Sequence, residues 1–203
     1  LGIIFLLGIL LPDIANDLNL SPSEQGWLGS SVLIANLLFC IPINLVTSLG
    51  RPWRTISLLF LGVGLFSLLQ SWSPLLAILI AGRVATGLCF TATQAPRALI
   101  IQQWIPRHRI SFTNGLIFAG IDLIMGLVFL VTPQIQQIVG SWRETLLVWS
   151  LISLGITAIW MVVGGDRVNG VFVTEEKEDT KTPLTSVLKK RKLWIMGLGI
   201  GGA

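Results

Sequence analysis

Long apolar runs separated by short polar breaks dominate this chain. They fall at about 26–47, 54–71, 74–103, 110–138 and 144–164, with a shorter run over 1–11 and another beginning at 193. About 20 apolar residues in helical form cross the roughly 30 Å of hydrocarbon in a bilayer. Lipid offers no hydrogen bonds, so a spanning backbone must satisfy itself. No run shows the alternation of about ten residues that marks a barrel strand. The expected fold is therefore an all-α integral membrane bundle of six helices. The first run and the one after 193 are too short to span and read as incomplete first and seventh spans. A signal peptide is the other reading of the first run, but it lacks a basic start and a small-x-small cleavage site.

The polar breaks alternate in charge. The first holds Asp13, Asp17 and Glu24 without a Lys or Arg, and the second holds Arg51 and Arg54. The third, Gln70 to Pro74, is uncharged, and the fourth carries Arg107, His108 and Arg109. The fifth has Arg143 offset by Glu144, and the stretch after 164 is rich in Lys and Arg. Basic loops stay on the cytoplasmic side, so Arg51, Arg54, Arg107 and Arg109 are expected to set topology there, as in a bacterial-type inner membrane. The same bias accounts for the net charge of +4, which therefore gives no reason to expect a nucleic-acid partner. Trp27, Trp53, Trp72, Trp104, Trp142 and Trp194 stand near span ends, where an indole suits the interface.

Residues 165–192 differ in composition. Glu175 to Asp179 is a charged run without apolar periodicity and reads as a solvated linker. From Pro183 to Lys192, Leu184, Val187 and Leu188 precede four basic residues. This segment reads either as a helix on the membrane surface or as a polybasic tether. Cys40 and Cys89 lie inside apolar runs without metal spacing and read as small buried hydrophobes. His108, the one histidine, falls in a break and reads as a surface residue. No phosphate-cradling Gly-x-x-x-x-Gly-Lys loop is present. Neither an enzyme, a metal site nor a cofactor is expected.

Several short motifs point further. Pro12 to Ala15 and Ser21-Pro22-Ser23 frame the first break, and Gly50-Arg51 with Arg54 closes the second. Leu79, Arg83 and Gly87 lie in the fourth run. Trp104-Ile105-Pro106-Arg107-His108-Arg109 opens the fifth, and Gly140-Ser141-Trp142-Arg143 the sixth. In this order and at these membrane sides the chain resembles the major facilitator superfamily over essentially its whole length. The resemblance implies the amino-terminal half of a two-bundle transporter, with a second six-helix bundle as its partner and alternating access as its mechanism. It makes Gly87, Pro106, Trp142 and Arg143 structural motif positions. Two departures stand out. Thr47 and Ser48 occupy the places where the family signature carries an acidic and a basic residue, and Ile43 replaces its leading Gly. The resemblance therefore does not carry over the charge contact of that loop. The Gly-Pro motif of drug/proton antiporters in the fifth span is absent as well.

Arg83 lies about 13 Å along its run, near the bilayer middle. A charge there costs at least about 2.5–3.5 kcal/mol and should face protein or water. Arg83, Thr86, Phe90, Gln94 and Arg97 share one helical face. Asp122 lies at a similar depth in the next run, about 16 Å from its start. It shares a face with Gly115, Phe118 and Gly126, whose glycines would permit close helix approach. Two readings of Arg83 and Asp122 stay open. They form a structural pair, or Arg83 holds an anionic group of the substrate while Asp122 carries a coupling proton or binds a cation. Asn36, at mid-depth of the second run, either contacts substrate or joins two helices. Arg97 reads as a snorkelling anchor or an inner gate residue. The expected function is proton- or ion-coupled transport of a small organic solute, with an anionic one favoured. An exporter of drugs or metabolites is the nearest alternative, and a channel or non-transporting receptor a remoter one.

Overall fold

In the computed structural model residues 2–165 are described, and they are helical apart from short turns. Seven α-helices follow one another: α1 Gly2–Asp17, α2 Pro22–Ser48, α3 Pro52–Ser71, α4 Leu76–Ala92, α5 Gln94–Trp104, α6 Ile110–Val139 and α7 Trp142–Val163. A 3-10 turn, Arg107–Arg109, precedes α6. Five stretches are long and apolar enough to cross a membrane, namely α2, α3, the α4–α5 unit Leu76–Trp104, Arg107–Val139 and α7. The all-helical membrane bundle expected from the apolar runs is the fold observed. The linker read over 165–192, apart from its first residue, and the run from 193 lie outside the described residues.

The helix ends follow local chemistry. Ser21 caps α2 in a capping box: its hydroxyl accepts from the Glu24 N–H, and the Glu24 carboxylate accepts from the Ser21 N–H at 2.8 Å. Pro22 and Pro52 open α2 and α3, where a missing N–H costs nothing. Gly140, at φ 76°, ends α6 in the left-handed conformation that glycine adopts without strain.

Two boundaries differ from the sequence reading. The first run was expected to stop before Pro12, yet α1 continues through it to Asp17. Leu6, Leu7, Leu10 and Ile14 recur at helical spacing on both sides of the proline and are fully or almost fully buried. That continuous buried stripe offsets the backbone bond that Pro12 removes. The fourth run, expected as one helix, is interrupted at Thr93. Pro96 explains the break, since it has no N–H to give the Ala92 carbonyl four residues back. Side chains of α2 take up the freed groups. The Thr47 hydroxyl donates to Ala92 O at 3.1 Å, and Asn44 Oδ1 accepts the Ala95 N–H at 3.1 Å.

Helix α4 packs against α2 and α3, α3 also against α7, and α1 against α6 and α7. Close approach at two glycines makes this possible. A Cβ on Gly87 would stand 2.7 Å from Val32 Cγ1 on α2, and one on Gly82 would stand 2.8 Å from Gln70 Cγ on α3. The apolar core joins Leu6, Leu10 and Ile14 of α1 to Leu28, Leu79, Val128 and Leu146 of four other helices. Trp142, expected at an interface, is buried in this core with 4% exposure. Cys40, expected to be buried, is exposed on α2, and Cys89 is only half-buried. Leu37, Leu116, Ile138 and Val162 are exposed, as suits faces that meet lipid.

Candidate functional site

The α4 stripe divides at the helix break. Arg83 and Thr86 lie above it and are buried, at 8% and 2% exposure. Thr86 is held by two bonds: its hydroxyl donates to Gly82 O at 2.8 Å and accepts from Gln70 Nε2 at 2.9 Å. Gln70 had been read as part of a polar break. It is instead a buried member of α3, 4% exposed, joining α3 to α4. It is the penultimate residue of α3, and nothing in the sequence signals its burial before Gly82 of α4 is seen to approach it.

Around the break the stripe opens onto a cleft of about 350 Å³ between α1, the α4–α5 unit and α6. Phe90, Gln94 and Arg97 line one side, and Phe118, Asp122 and Met125 the other. The Arg97 guanidinium donates to Gln94 Oε1 at 2.7 Å and lies 5.7 Å from the centre of the Phe118 ring. That contact turns the cationic head over an aromatic face. Asp122 is four residues beyond Phe118, so the two share a face of α6 one turn apart. Asp122 is thus gathered with Arg97 and Gln94, whereas Arg83 is not among the residues lining this cleft. The glycines of this face do not serve close packing as the sequence suggested. A Cβ on Gly115 or Gly126 would meet nothing within 4 Å.

Asn36 is half-buried, and its Oδ1 accepts from the Thr91 hydroxyl, which ties α2 to α4 just above the break. Arg51, Arg54, Arg107 and Arg109 are exposed at the α2–α3 and α5–α6 turns, with Gly50 exposed beside Arg51 and Pro106 half-buried before Arg107. His108 is exposed in the same turn.

At the opposite end of the bundle a polar clasp closes α1 onto α6 and α7. Asp17 forms an ion pair with Arg143 and accepts from Trp142 Nε1 at 3.1 Å, while Asp13 accepts from Gln136 Nε2. The Arg143 guanidinium and then the Trp142 indole hold the Asp17 carboxyl below its ordinary range. The sequence pairs Arg143 with its neighbour Glu144; its partner in the structure is Asp17, 126 positions away in sequence.

Among the described residues no group of three or more His, Cys, Asp or Glu side chains is placed to hold a metal ion. A sequence profile of the Major Facilitator Superfamily matches residues 2–203. The chain belongs to the major facilitator superfamily. As a superfamily member it is an integral membrane protein of a transporter family, and the helical bundle is consistent with that membership. It is also 27% identical over 194 residues to the uncharacterized protein Cj0987c of Campylobacter jejuni. The aligned region covers 93% of this chain and 57% of that protein, so the chain spans little more than half the length of the relative it matches. No solved structure matches.

Proposed function

We propose that this chain is the amino-terminal half of a secondary active transporter that moves a small organic solute by alternating access, driven by a proton or ion gradient. One observation carries the reading. Arg83, Arg97 and Asp122 lie more than a turn inside the ends of membrane-spanning stretches, and two of them face a common cleft beside a broken helix. A charge near the bilayer middle, the depth read for Arg83 and Asp122, costs about 2.5–3.5 kcal/mol or more, and intramembrane ionisable groups mark solute and ion pathways. Discontinuous helices are a recurring site element in secondary transporters.

In this reading the solute carries an anionic group, favoured by Arg83 and Arg97, and Asp122 carries the coupling proton or binds a cationic group. Asn36, Gln94 and Thr86 are further contacts. The turns bearing Arg51, Arg54, Arg107 and Arg109 face the cytoplasm across a bacterial-type inner membrane. A second six-helix bundle supplies the other half of the site.

The test is solute uptake into proteoliposomes of the full-length protein under an imposed pH gradient, with Asp122→Asn alongside. Uptake that follows the gradient in the parent and loses it in the variant supports the reading. Uptake by Asp122→Asn that still follows the gradient removes the coupling role. In parallel, Arg83→Gln should keep the parental melting temperature without ligand and lose the ligand-induced shift. A large loss of ligand-free stability would assign Arg83 to the fold instead.

A further inference from the structure

The cleft at the helix break holds two opposite charges that are not joined to each other. Arg97 is engaged by Gln94 and by the Phe118 ring, and among the described residues Asp122 has no ion pair with it. Phe118, over which the guanidinium lies, and Asp122 stand about one helical turn apart on α6. At membrane depth, opposite charges that close in space gain most by pairing directly. A pair kept apart across an open cleft is suited to a ligand that bridges it.

We infer that this cleft binds a small zwitterionic solute of the amino-acid or betaine class, its carboxylate on Arg97 and its cationic group on Asp122. Gln94 uses its carbonyl oxygen on Arg97. That leaves its amide NH₂ to donate to the same carboxylate. Arg97, planar and fork-shaped, is the better of the two basic side chains for such a group. Phe90, Phe118 and Met125 line the remainder of the cleft. They offer aromatic faces and a soft thioether to the apolar body, and the rings also favour an adjacent cation. The arrangement selects by charge: a simple anion would leave Asp122 facing it unneutralised, and a simple amine would do the same to Arg97. Each mismatch desolvates a charge without a partner. This inference rests on the proposed transport function and narrows its solute class.

The test is a thermal-shift screen of the purified full-length protein. The probes are the twenty amino acids and glycine betaine, the decarboxylated amine and deaminated acid of each, and a set of simple carboxylates. The expected result is that at least one zwitterion raises the melting temperature by several degrees while its amine and acid do not. Arg97→Gln and Asp122→Asn should each abolish that shift with ligand-free melting unchanged. Arg97→Lys and Asp122→Glu, which keep the charges, should retain part of it and serve if the neutral variants do not fold. The inference is overturned if no zwitterion shifts the protein, if the acid stabilises as well as its parent zwitterion, or if the shift survives Asp122→Asn. In those cases the transporter reading still stands if simple anions are taken up along a gradient. Failure of every solute class in gradient-driven uptake overturns that reading itself.

Discussion

The Thr47 hydroxyl shares its one proton between the Ile43 carbonyl of its own helix at 2.9 Å and the Ala92 carbonyl at 3.1 Å, and the latter is the carbonyl that Pro96 leaves without its helical donor. One side chain of α2 therefore completes the backbone of the neighbouring span at the point where α4 gives way to α5. The superfamily signature places a carboxylate at this position, which could accept but not donate while ionised; the threonine suits a carbonyl partner. Replacing Thr47 by Val should destabilise the protein by about 1 kcal/mol, the scale of interhelical hydrogen bonds in membranes. Thr47→Ser should restore most of the loss. Unfolding of the full-length protein in mixed micelles measures both, and equal stability of all three would show that the bond contributes nothing.

The contact between Gly87 and Val32 is the tightest control on how α4 meets α2. A methyl group at Gly87 would lie 2.7 Å from Val32 Cγ1, a branched atom with little freedom to withdraw. Gly87→Ala should cost about 1–3 kcal/mol, the usual range for overpacking. Val32→Ala in the same chain should return part of it. A double variant no better than Gly87→Ala alone would place the strain elsewhere.

The clasp at the other end of the bundle depends on pH. The Asp17 carboxyl is held below its ordinary value of 3.8, first by Arg143 and then by Trp142. Its folded-state pKa is thus depressed. The clasp's stabilisation is complete above the unfolded value and is lost as pH falls through the folded one. Melting temperatures should be level at neutral pH and decline below about pH 4, the unfolded carboxylate range. Asp17→Asn should melt lower at neutral pH and show less of that decline. Identical profiles for parent and variant would mean that the exposed pair is fully screened.

The features legible from sequence were those set by period and length. Apolar runs coincide with the five long apolar stretches to within a few residues, and Phe90 of α4 with Gln94 and Arg97 of α5, which helical spacing puts on one face, line one cleft. Features that depend on a distant partner were not legible. Gln70 looks like a loop residue until Gly82 of the next helix is seen to approach it. Arg143 looks neutralised by Glu144 until α1 is packed beside α7 and Asp17 comes within reach. The continuation of α1 through Pro12 is decided by tertiary burial of Leu10 and Ile14 rather than by local propensity. The break at Thr93 was the exception. Pro96 stood in plain sight within the fourth run, and the rule that proline frees the carbonyl four residues earlier would have placed it.

Counterflow tests the proposed transport function most directly. The full-length protein is reconstituted into proteoliposomes preloaded with an unlabelled solute that raises its melting temperature. Entry of the same labelled solute is then followed with no gradient imposed. A carrier that exposes one site to one side at a time returns faster when loaded, so internal solute should accelerate labelled uptake to a transient overshoot, and uptake should saturate with concentration. Labelled entry that ignores the internal solute and rises linearly with external concentration would contradict the account and identify a channel.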